Sequence, residues 1–381
     1  MFYAIHNALR LPIRGLGLLI RTLRKIPVRK EVENGAVFHI VYRRRPDAVP
    51  ARPVPPVLFI VFARPDLTAR VFAAIRTARP ARLFIAQDGP RANHPEDAEK
   101  CRQTRAVATA VDWPCEVQTC FQERNLGVGR GCAAAIRWFF EQVEEGIILE
   151  DDVLPDPTFF PYCAELLDRY RHDTRIMHIA GYNPLLSAVG EDSYYFSPLM
   201  HCWGWATWRR VARQYDFGIA DWPALKAGGL MRALFRTRLQ QRHFAAIFDL
   251  YHRGAINNWD QQWLYLILSR GGLCINPCVN LVRNLGFGSE ASFAQNPWSY
   301  HGRRETRPMA FPLRHPPFAL ADPRITDRIL RKAYKVWGPR LLAVRLAMPF
   351  WPLIQRVGRW RRRVSGARPS SPAPRGTPAP P

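Results

Sequence analysis

The stretch Gly146-Ile147-Ile148-Leu149-Glu150-Asp151-Asp152 places three consecutive acidic residues directly after a short apolar run. An apolar run of this length, bounded by glycine and polar residues, is typical of a buried β-strand. A hard divalent cation such as Mg²⁺ or Mn²⁺, which prefers oxygen ligands, would relieve the repulsion between the three carboxylates. The alternative is a solvated acidic turn before the next helix. Spacing alone does not separate the two interpretations.

Three similar apolar runs precede this strand, and helical patterns separate them. The predicted strands cover residues 57–62, 82–86, 116–121 and 146–149. This alternation predicts an α/β fold with a Rossmann-like, mainly parallel sheet and helices on both faces. Ligands bind beyond the carboxyl ends of the strands in such sheets. We therefore expect four turns to share one edge, namely 63–66, 87–90, 125–131 and 150–152.

The second half of the chain has a mixed pattern. The predicted elements are a helix at 157–171, a strand at 176–180, helical pieces at 223–253, a helix ending at Ser269 and a short strand after the turn at 271–272. The segment 280–288 is rich in glycine and predicts a binding loop. Between these elements lie two tryptophan-rich runs, 203–210 and 259–263, which the sequence alone does not assign to core or site.

Seven short motifs, taken in order, give the chain a recognisable pattern. They are Phe62-Ala63-Arg64-Pro65-Asp66, Gln87-Asp88-Gly89-Pro90-Arg91, Asn125-Leu126-Gly127, Ile148-Leu149-Glu150-Asp151-Asp152, Trp203-Gly204-Trp205-Ala206-Thr207-Trp208, Trp259-Asp260-Gln261-Gln262-Trp263, and Asn280-Leu281-Val282 with Gly286-Phe287-Gly288. Over residues 55–300 the chain resembles bacterial family 2-like glycosyltransferases with the GT-A, nucleotide-diphospho-sugar transferase fold. It is more distantly similar to the N-acetylglucosaminyltransferase I group.

The resemblance implies a role for each motif residue on the donor side. Asp152 would be the direct metal ligand, for Mn²⁺ or Mg²⁺, and Glu150 and Asp151 would hold the ribose or sugar hydroxyls. Arg64 and Asp88 would line the nucleotide pocket, with Asp88 bound to the uracil ring of a UDP-sugar. Two further residues complete the implied site: Asn125 would shape the glycine-rich loop or touch the nucleotide, and Arg130 would meet a phosphate or else lie exposed.

The resemblance further implies an inverting transfer in which an acceptor hydroxyl attacks the anomeric carbon. Asp260 would be the general base that takes the hydroxyl proton; its alternative role is to cap the helix that begins there. Trp259, Trp203 and Trp205 would form a wall for donor or acceptor, with Gly204 leaving room for close approach. These tryptophans could equally belong to the core.

Two positions depart from the family pattern. Ala63 stands where members often carry Asn, and the segment 290–293 (EASF) lacks a His that members often place there. That His can approach the metal or the diphosphate. The departure puts metal affinity, and activity itself, in question.

The charge of +24 is concentrated at the two ends of the chain. Residues 1–30 and 331–381 carry 19 basic residues and no acidic residue, which leaves residues 31–330 with a net charge of +5. Apolar residues alternate with these cations, a pattern of helices that lie on an anionic membrane surface. Nucleic-acid binding needs similar charges, but no recognition motif accompanies them. The predicted divisions are a basic amphipathic N-terminal segment (1–44), a proline-rich linker (45–56), the GT-A domain (57–320), basic amphipathic C-terminal helices (321–365) and a disordered tail (366–381).

The eight scattered cysteines indicate apolar packing in a reducing compartment rather than a zinc site. No signal peptide and no long uncharged apolar run is evident. We expect a cytoplasmic enzyme at the inner face of the cell membrane, in surface polysaccharide synthesis, with a glycan or lipid-linked acceptor. The alternatives are a non-catalytic sugar-nucleotide or membrane-binding homologue, a sugar-nucleotide pyrophosphorylase and a nucleic-acid-binding protein. The sequence does not indicate the oligomeric state.

Overall fold

The computed structural model of the protein describes residues 52–185, 190–286, 304–334 and 336. The predicted N-terminal amphipathic helix, most of the linker, the segment that lacks the family His and the disordered tail lie outside these residues. The predicted C-terminal helices lie partly outside them. Among the described residues, no helix has both the length and the apolar character needed to cross a membrane.

The first half of the described chain alternates strands and helices as predicted. Its elements are β1 (Val57–Val61), α1 (Pro65–Ala78), β2 (Arg82–Gln87), α2 (Asp97–Ala108), β3 (Glu116–Phe121), α3 (Val128–Gln142) and β4 (Glu145–Glu150). The four strands pair in parallel in the order β3-β2-β1-β4. Leu83, Phe84 and Ile85 of β2 are all fully buried. Since successive strand residues point to opposite faces, both faces of the sheet are covered.

The second half extends the same sheet and adds helices. Its elements are β5 (Val153–Pro155), α4 (Phe159–Arg169), β6 (Ile176–Ala180), β7 (Tyr194–Ser197), β8 (Trp205–Trp208), α5 (Arg209–Ala212), α6 (Trp222–Ala227), α7 (Leu230–Leu234), α8 (Arg238–His252), α9 (Asp260–Ser269), β9 (Leu273–Pro277), β10 (Val282–Asn284) and α10 (Pro323–Lys332). The eight-stranded sheet has the order β3-β2-β1-β4-β8-β6-β9-β7, and β5 pairs with β10 in a separate ribbon. Four of the seven neighbouring pairs are parallel, so the predicted mainly parallel α/β fold is confirmed.

A stack of aromatic rings joins β6, β8 and the start of α9. The Trp205 ring stacks on His178, with centroids 5.1 Å apart, and on Trp259, with centroids 5.5 Å apart. His178 is fully buried, and its Nε2 lies 3.1 Å from the carbonyl oxygen of His201. This stack fixes the position of the residue that follows Trp259, which is Asp260.

Buried histidines predict that acid destabilises the fold. Burial lowers the pKa of His178 to about 4, and burial likewise lowers the pKa of His243 to about 4. Because the unfolded chain binds a proton at an ordinary histidine pKa near 6.5, stability is fully present above that pH and is lost as the pH falls from 6.5 towards 4. We expect a loss of about 2 kcal/mol per histidine between pH 7.5 and pH 5.

Urea unfolding at pH 7.5 and pH 5 measures this loss. The variant His178→Phe keeps a ring in the stack but cannot titrate, so its stability should fall less over the same range. Equal pH dependence in the two proteins would show that His178 is not responsible.

Candidate active site

One edge of the sheet brings together the turns after β1, β2 and β3 and the acidic triplet, which begins at the last residue of β4. They surround a cavity of about 570 Å³. Among the predicted site residues, Arg64, Asp88, Asn125, Glu150 and Asp151 line this cavity. The predicted shared edge is therefore present, and the cavity is large enough for a small ligand such as a nucleotide.

Arg64 joins two of the three acids of the triplet. Its Nη1 donates to Oδ2 of Asp152 at 2.9 Å, and its Nη2 donates to Oδ1 of Asp151. The other oxygen of Asp151 accepts from the backbone N–H of Phe62 at 2.9 Å. The Asp151 side chain is 1% exposed and that of Asp152 is 15% exposed. Asp151 is thus a buried anchor, whereas Asp152 retains access to solvent.

Burial and the clustered charges shift the pKa values of the ionisable side chains in the site. Burial alone would lower the pKa of Arg64, but the charges of Asp151 and Asp152 outweigh it and hold that pKa well above its ordinary value. Burial raises the pKa of Asp151, and Arg64 opposes this shift. Burial, followed by the charge of Asp152, raises the pKa of Glu150 to about 8. The site therefore favours additional positive charge.

Asp88 organises the loop that follows β3. Its Oδ1 accepts from the backbone N–H of Leu126 at 2.8 Å, and its Oδ2 accepts from that of Gly127 at 2.9 Å. Asn125 donates from Nδ2 to the carbonyl oxygen of Gly89 at 2.7 Å. Both side chains tie the loops after β2 and β3 together at the cavity. Their contacts to the nucleotide stay predictions.

The glycine-rich stretch forms a helix start rather than a long loop. Helix α3 begins at Val128, earlier than the predicted position near residue 132, because Gly127 adopts φ +79° and closes the turn before it. The first turn of α3 faces the cavity through Gly127, Val128 and Gly131. A helix start leaves backbone N–H groups without partners inside the helix, which suits an anionic ligand. In α3 the N–H of Arg130 is taken by Oδ1 of Asn257 at 3.3 Å.

Segment 257–258 packs directly on this glycine-rich turn. A Cβ atom on Gly129 would lie 2.4 Å from Oδ1 of Asn257 and 2.6 Å from the backbone nitrogen of Asn258. A Cβ atom on Gly127 would lie 2.2 Å from Nδ2 of Asn257. The glycines are required because the segment leading to Asp260 lies against the turn that borders the cavity.

The substitution Gly129→Ala should therefore separate these two segments. We expect a loss of about 1–3 kcal/mol of stability from the overpacked contact, together with weaker binding of any ligand that uses both segments. Chemical denaturation and ligand titration of the variant measure the two effects. Gly228→Ala is the matched control, since its Cβ would meet nothing closer than 3.4 Å. Equal stability of the two variants would contradict the packing argument.

Asp260 is the first residue of α9 and is half-buried. Its Oδ1 accepts from Asn258 Nδ2 at 2.8 Å and from the Tyr251 hydroxyl at 3.5 Å, and its Oδ2 accepts from Gln261 Nε2 at 3.2 Å. Among the described residues these donors are side chains, so the alternative role of capping α9 is not supported. The charge of Asp260 also contributes to raising the pKa of Glu150. Asp260 and the triplet thus share one electrostatic environment.

The tryptophan motifs contribute mainly to the core. Trp205 is 0% exposed and Trp259 is 2% exposed, so neither ring can form the predicted wall in this conformation, and the core interpretation holds for both. Gly204 adopts φ +56°, and a Cβ there would lie 2.7 Å from Val282 Cγ1, so its small size serves packing against β10. Trp203 is only partly buried and packs edge-on against Tyr182, and its substrate role stays a prediction.

Arg130 lies on the exposed side of α3, outside the set of residues that line the cavity. Its guanidinium group is 5.3 Å from the centroid of the Phe217 ring. This arrangement agrees with the alternative of an exposed arginine, and the phosphate contact stays a prediction.

Sequence reasoning missed two cations that line the cavity, Arg91 and Lys100. Arg91 pairs with the buried carboxylate of Asp97, and its guanidinium lies over the Phe62 ring. The Asp-Gly-Pro-Arg motif contains Arg91 and could have indicated it, whereas nothing in the α2 sequence distinguishes Lys100. The two cations add positive potential to the wall formed by α2 and the loop before it.

No family model matches the chain, and no curated protein matches it. Mouse xyloside xylosyltransferase 1 shares 12% identity, with 57% of this chain and 82% of that chain covered and a TM-score of 0.29. HddC from Yersinia pseudotuberculosis shares 10% identity over 42% of this chain and 80% of its own, with a TM-score of 0.27. The inositol-1-phosphate CTP transferase from T. maritima shares 10% identity over 43% and 75%, with a TM-score of 0.25.

The strand order of the structure itself confirms the predicted mainly parallel α/β sheet. The TM-scores below 0.5 carry no argument about the site or the reaction, which depend on this chain's own residues.

The donor atoms at the triplet fit a divalent cation through one carboxylate. Among the described residues, Oδ1 of Asp152 accepts no hydrogen bond, while its Oδ2 accepts from Arg64 and lies beside the backbone of Gly286. A Cβ on Gly286 would lie 2.1 Å from that Oδ2. One protein carboxylate, with ligand phosphates and water completing the shell, is an arrangement that Mg²⁺ commonly adopts.

Proposed function

We propose that the protein is a metal-dependent, inverting glycosyltransferase that uses a nucleotide-diphosphate sugar, with UDP as the expected nucleotide. One observation carries the proposal: the cavity at the carboxyl ends of β1 to β4 has the acidic triplet at its edge, and the segment 257–260 that ends in Asp260 packs on the glycine-rich turn bordering that cavity. The nucleotide would occupy the cavity, and the sugar would extend from the triplet towards Asp260.

In the proposed reaction each residue has a separate task. Asp260 takes the proton of the acceptor hydroxyl as its oxygen forms the new bond to the anomeric carbon. The bond from that carbon to the phosphate oxygen breaks, and the nucleoside diphosphate leaves with the electron pair. Asp152 would hold the divalent cation, which supplies positive charge to the departing diphosphate. Glu150 would orient the ribose or sugar, whereas the expected role of Asp151 in this contact is corrected by its burial, since both of its oxygens are held by Arg64 and Phe62 N–H. Asn258 holds the Asp260 carboxylate in place.

The short connection after β1 favours sugar transfer over the nucleotidyl transfer of a pyrophosphorylase. Residues 62–64 lead directly from β1 into α1, which begins at Pro65. A sugar-nucleotide pyrophosphorylase normally places a long glycine-rich loop with basic residues at this point.

Thermal shift with nucleotide sugars tests the proposal. A ligand at about 100 times its dissociation constant stabilises the native state by about 2.7 kcal/mol. We expect UDP-sugars to raise the melting temperature when Mn²⁺ is present and much less when EDTA replaces it. Release of UDP in the presence of an acceptor would then establish transfer. A protein that binds UDP-sugar but neither transfers nor hydrolyses it would be the non-catalytic homologue.

The proposal also includes a glycan or lipid-linked acceptor and contact of the protein with an anionic membrane surface. The described residues offer one surface that suits a membrane: Phe318 and Leu320 are both 71% exposed, and α10 follows them with exposed Arg324, Arg331 and Lys332. Exposed apolar side chains beside cations are typical of interfacial contacts.

Flotation with anionic liposomes measures this contact. The variant Phe318→Glu/Leu320→Glu should lose most of its liposome binding, whereas Val117→Glu should keep it, because Val117 is 38% exposed on β3, at the opposite edge of the sheet from β7, with which Ala321 pairs. Equal flotation of the two variants would argue against the surface.

A further inference from the structure

Arg64 lies between Asp151 and Asp152 and contacts both carboxylates. Each of its two terminal nitrogens donates to one carboxylate. Its charge thus relieves the repulsion between the carboxylates, which the sequence analysis expected a metal ion to relieve. The guanidinium side chain is 24% exposed, so it lies at the boundary between the triplet and the cavity. The planar fork of an arginine matches two carboxylates as well as it matches a diphosphate.

Asp151 and Asp152 respond differently to the loss of this contact. Asp151 has a second partner that does not depend on the guanidinium, the backbone N–H of Phe62. Asp152, by contrast, has Oδ2 enclosed between Arg64 and Gly286. Departure of the guanidinium therefore frees Oδ2 in addition to Oδ1 and removes a positive charge beside Asp152, the carboxylate proposed to hold the divalent cation.

We propose that Arg64 is an internal counter-ion that competes with the divalent cation for Asp152 until a nucleotide diphosphate draws the guanidinium away. The inference rests on the proposed function for the identity of the diphosphate. The diphosphate offers Arg64 an alternative anionic partner on the cavity side, so cation and nucleotide bind cooperatively. Because binding coupling is reciprocal, UDP raises Mn²⁺ affinity by the same factor as Mn²⁺ raises UDP affinity.

The test compares Mn²⁺ binding, followed by the electron paramagnetic resonance of the free ion, in three proteins. The wild type should bind Mn²⁺ weakly alone and at least about tenfold more tightly with saturating UDP. Arg64→Gln leaves Asp151 buried without its ion pair and could fail to fold. The double variant Arg64→Gln/Asp151→Asn removes one charge of each sign, so the formal charge of the cluster is unchanged while Asp152 is freed.

We expect the double variant to bind Mn²⁺ alone about tenfold more tightly than the wild type, and to show little further gain with UDP. Arg64→Lys keeps the charge but cannot reach both carboxylates, so its Mn²⁺ affinity should lie between the two. Equal Mn²⁺ affinity of the wild type and the double variant, without nucleotide, would overturn the inference and leave the proposed transferase unaffected. Absence of Mn²⁺ binding to either protein, with and without UDP, would overturn both.

Discussion

Asp260→Asn should reduce the rate of sugar transfer by at least about 100-fold, and by up to about 10,000-fold, while UDP-sugar binding and the fold are retained. The carboxylate is the group placed to accept the hydroxyl proton, and an amide of the same shape cannot accept it. The Asn oxygen can keep the 2.8 Å hydrogen bond from Asn258, and only the longer 3.2 Å hydrogen bond from Gln261 is lost, so the packing around α9 should persist. Steady-state kinetics and UDP-sugar titration of the variant measure the two properties separately.

Asp112→Asn provides the control for Asp260→Asn. Asp112 is a surface carboxylate that pairs with Arg76, and it lines no part of the cavity. Its substitution should leave transfer within twofold of the wild type. Transfer by Asp260→Asn at the rate of this control would remove Asp260 from the proposed reaction.

Asp152→Asn is the second large effect that we expect. The substitution removes the partly exposed carboxylate proposed to hold the divalent cation, so Mn²⁺-dependent UDP-sugar binding and transfer should both fall, by about 100-fold or more in kcat/KM. Asp168→Asn is the matched control, since Asp168 is an exposed carboxylate paired with Arg52 and Arg171. Unchanged Mn²⁺ dependence in Asp152→Asn would exclude Asp152 as the ligand.

Sequence periodicity predicted the β1 to β4 half of the sheet and the edge at which the polar turns meet. It succeeded there because parallel strands are buried on both faces and read as continuous apolar runs, such as Leu83 to Ile85. The glycine-rich turn was predicted as a loop, because glycine lowers helix propensity. The structure starts α3 there since only glycine leaves room for Asn257.

The tryptophan motifs show where sequence reasoning reaches its limit. An indole ring suits both a sugar face and a core, and nothing in the spacing of Trp205 and Trp259 separates these uses. The structure decides between these uses, because β8 lies between β4 and β6 and Trp205 is therefore buried in the middle of the sheet. In the same way, the partner of Asp151 and Asp152 could not be deduced, because Arg64 is distant in sequence and reaches them only through the pairing of β1 with β4.

The stack of His178, Trp205 and Trp259 also gives the protein an optical property. Indole emission depends on the immediate surroundings of the ring, and Trp259 is covalently joined to Asp260. A small movement of Asp260 towards an acceptor hydroxyl would change the overlap of the two indoles. Tryptophan fluorescence, compared between the wild type and Trp259→Phe, should therefore report acceptor binding in solution without any attached dye.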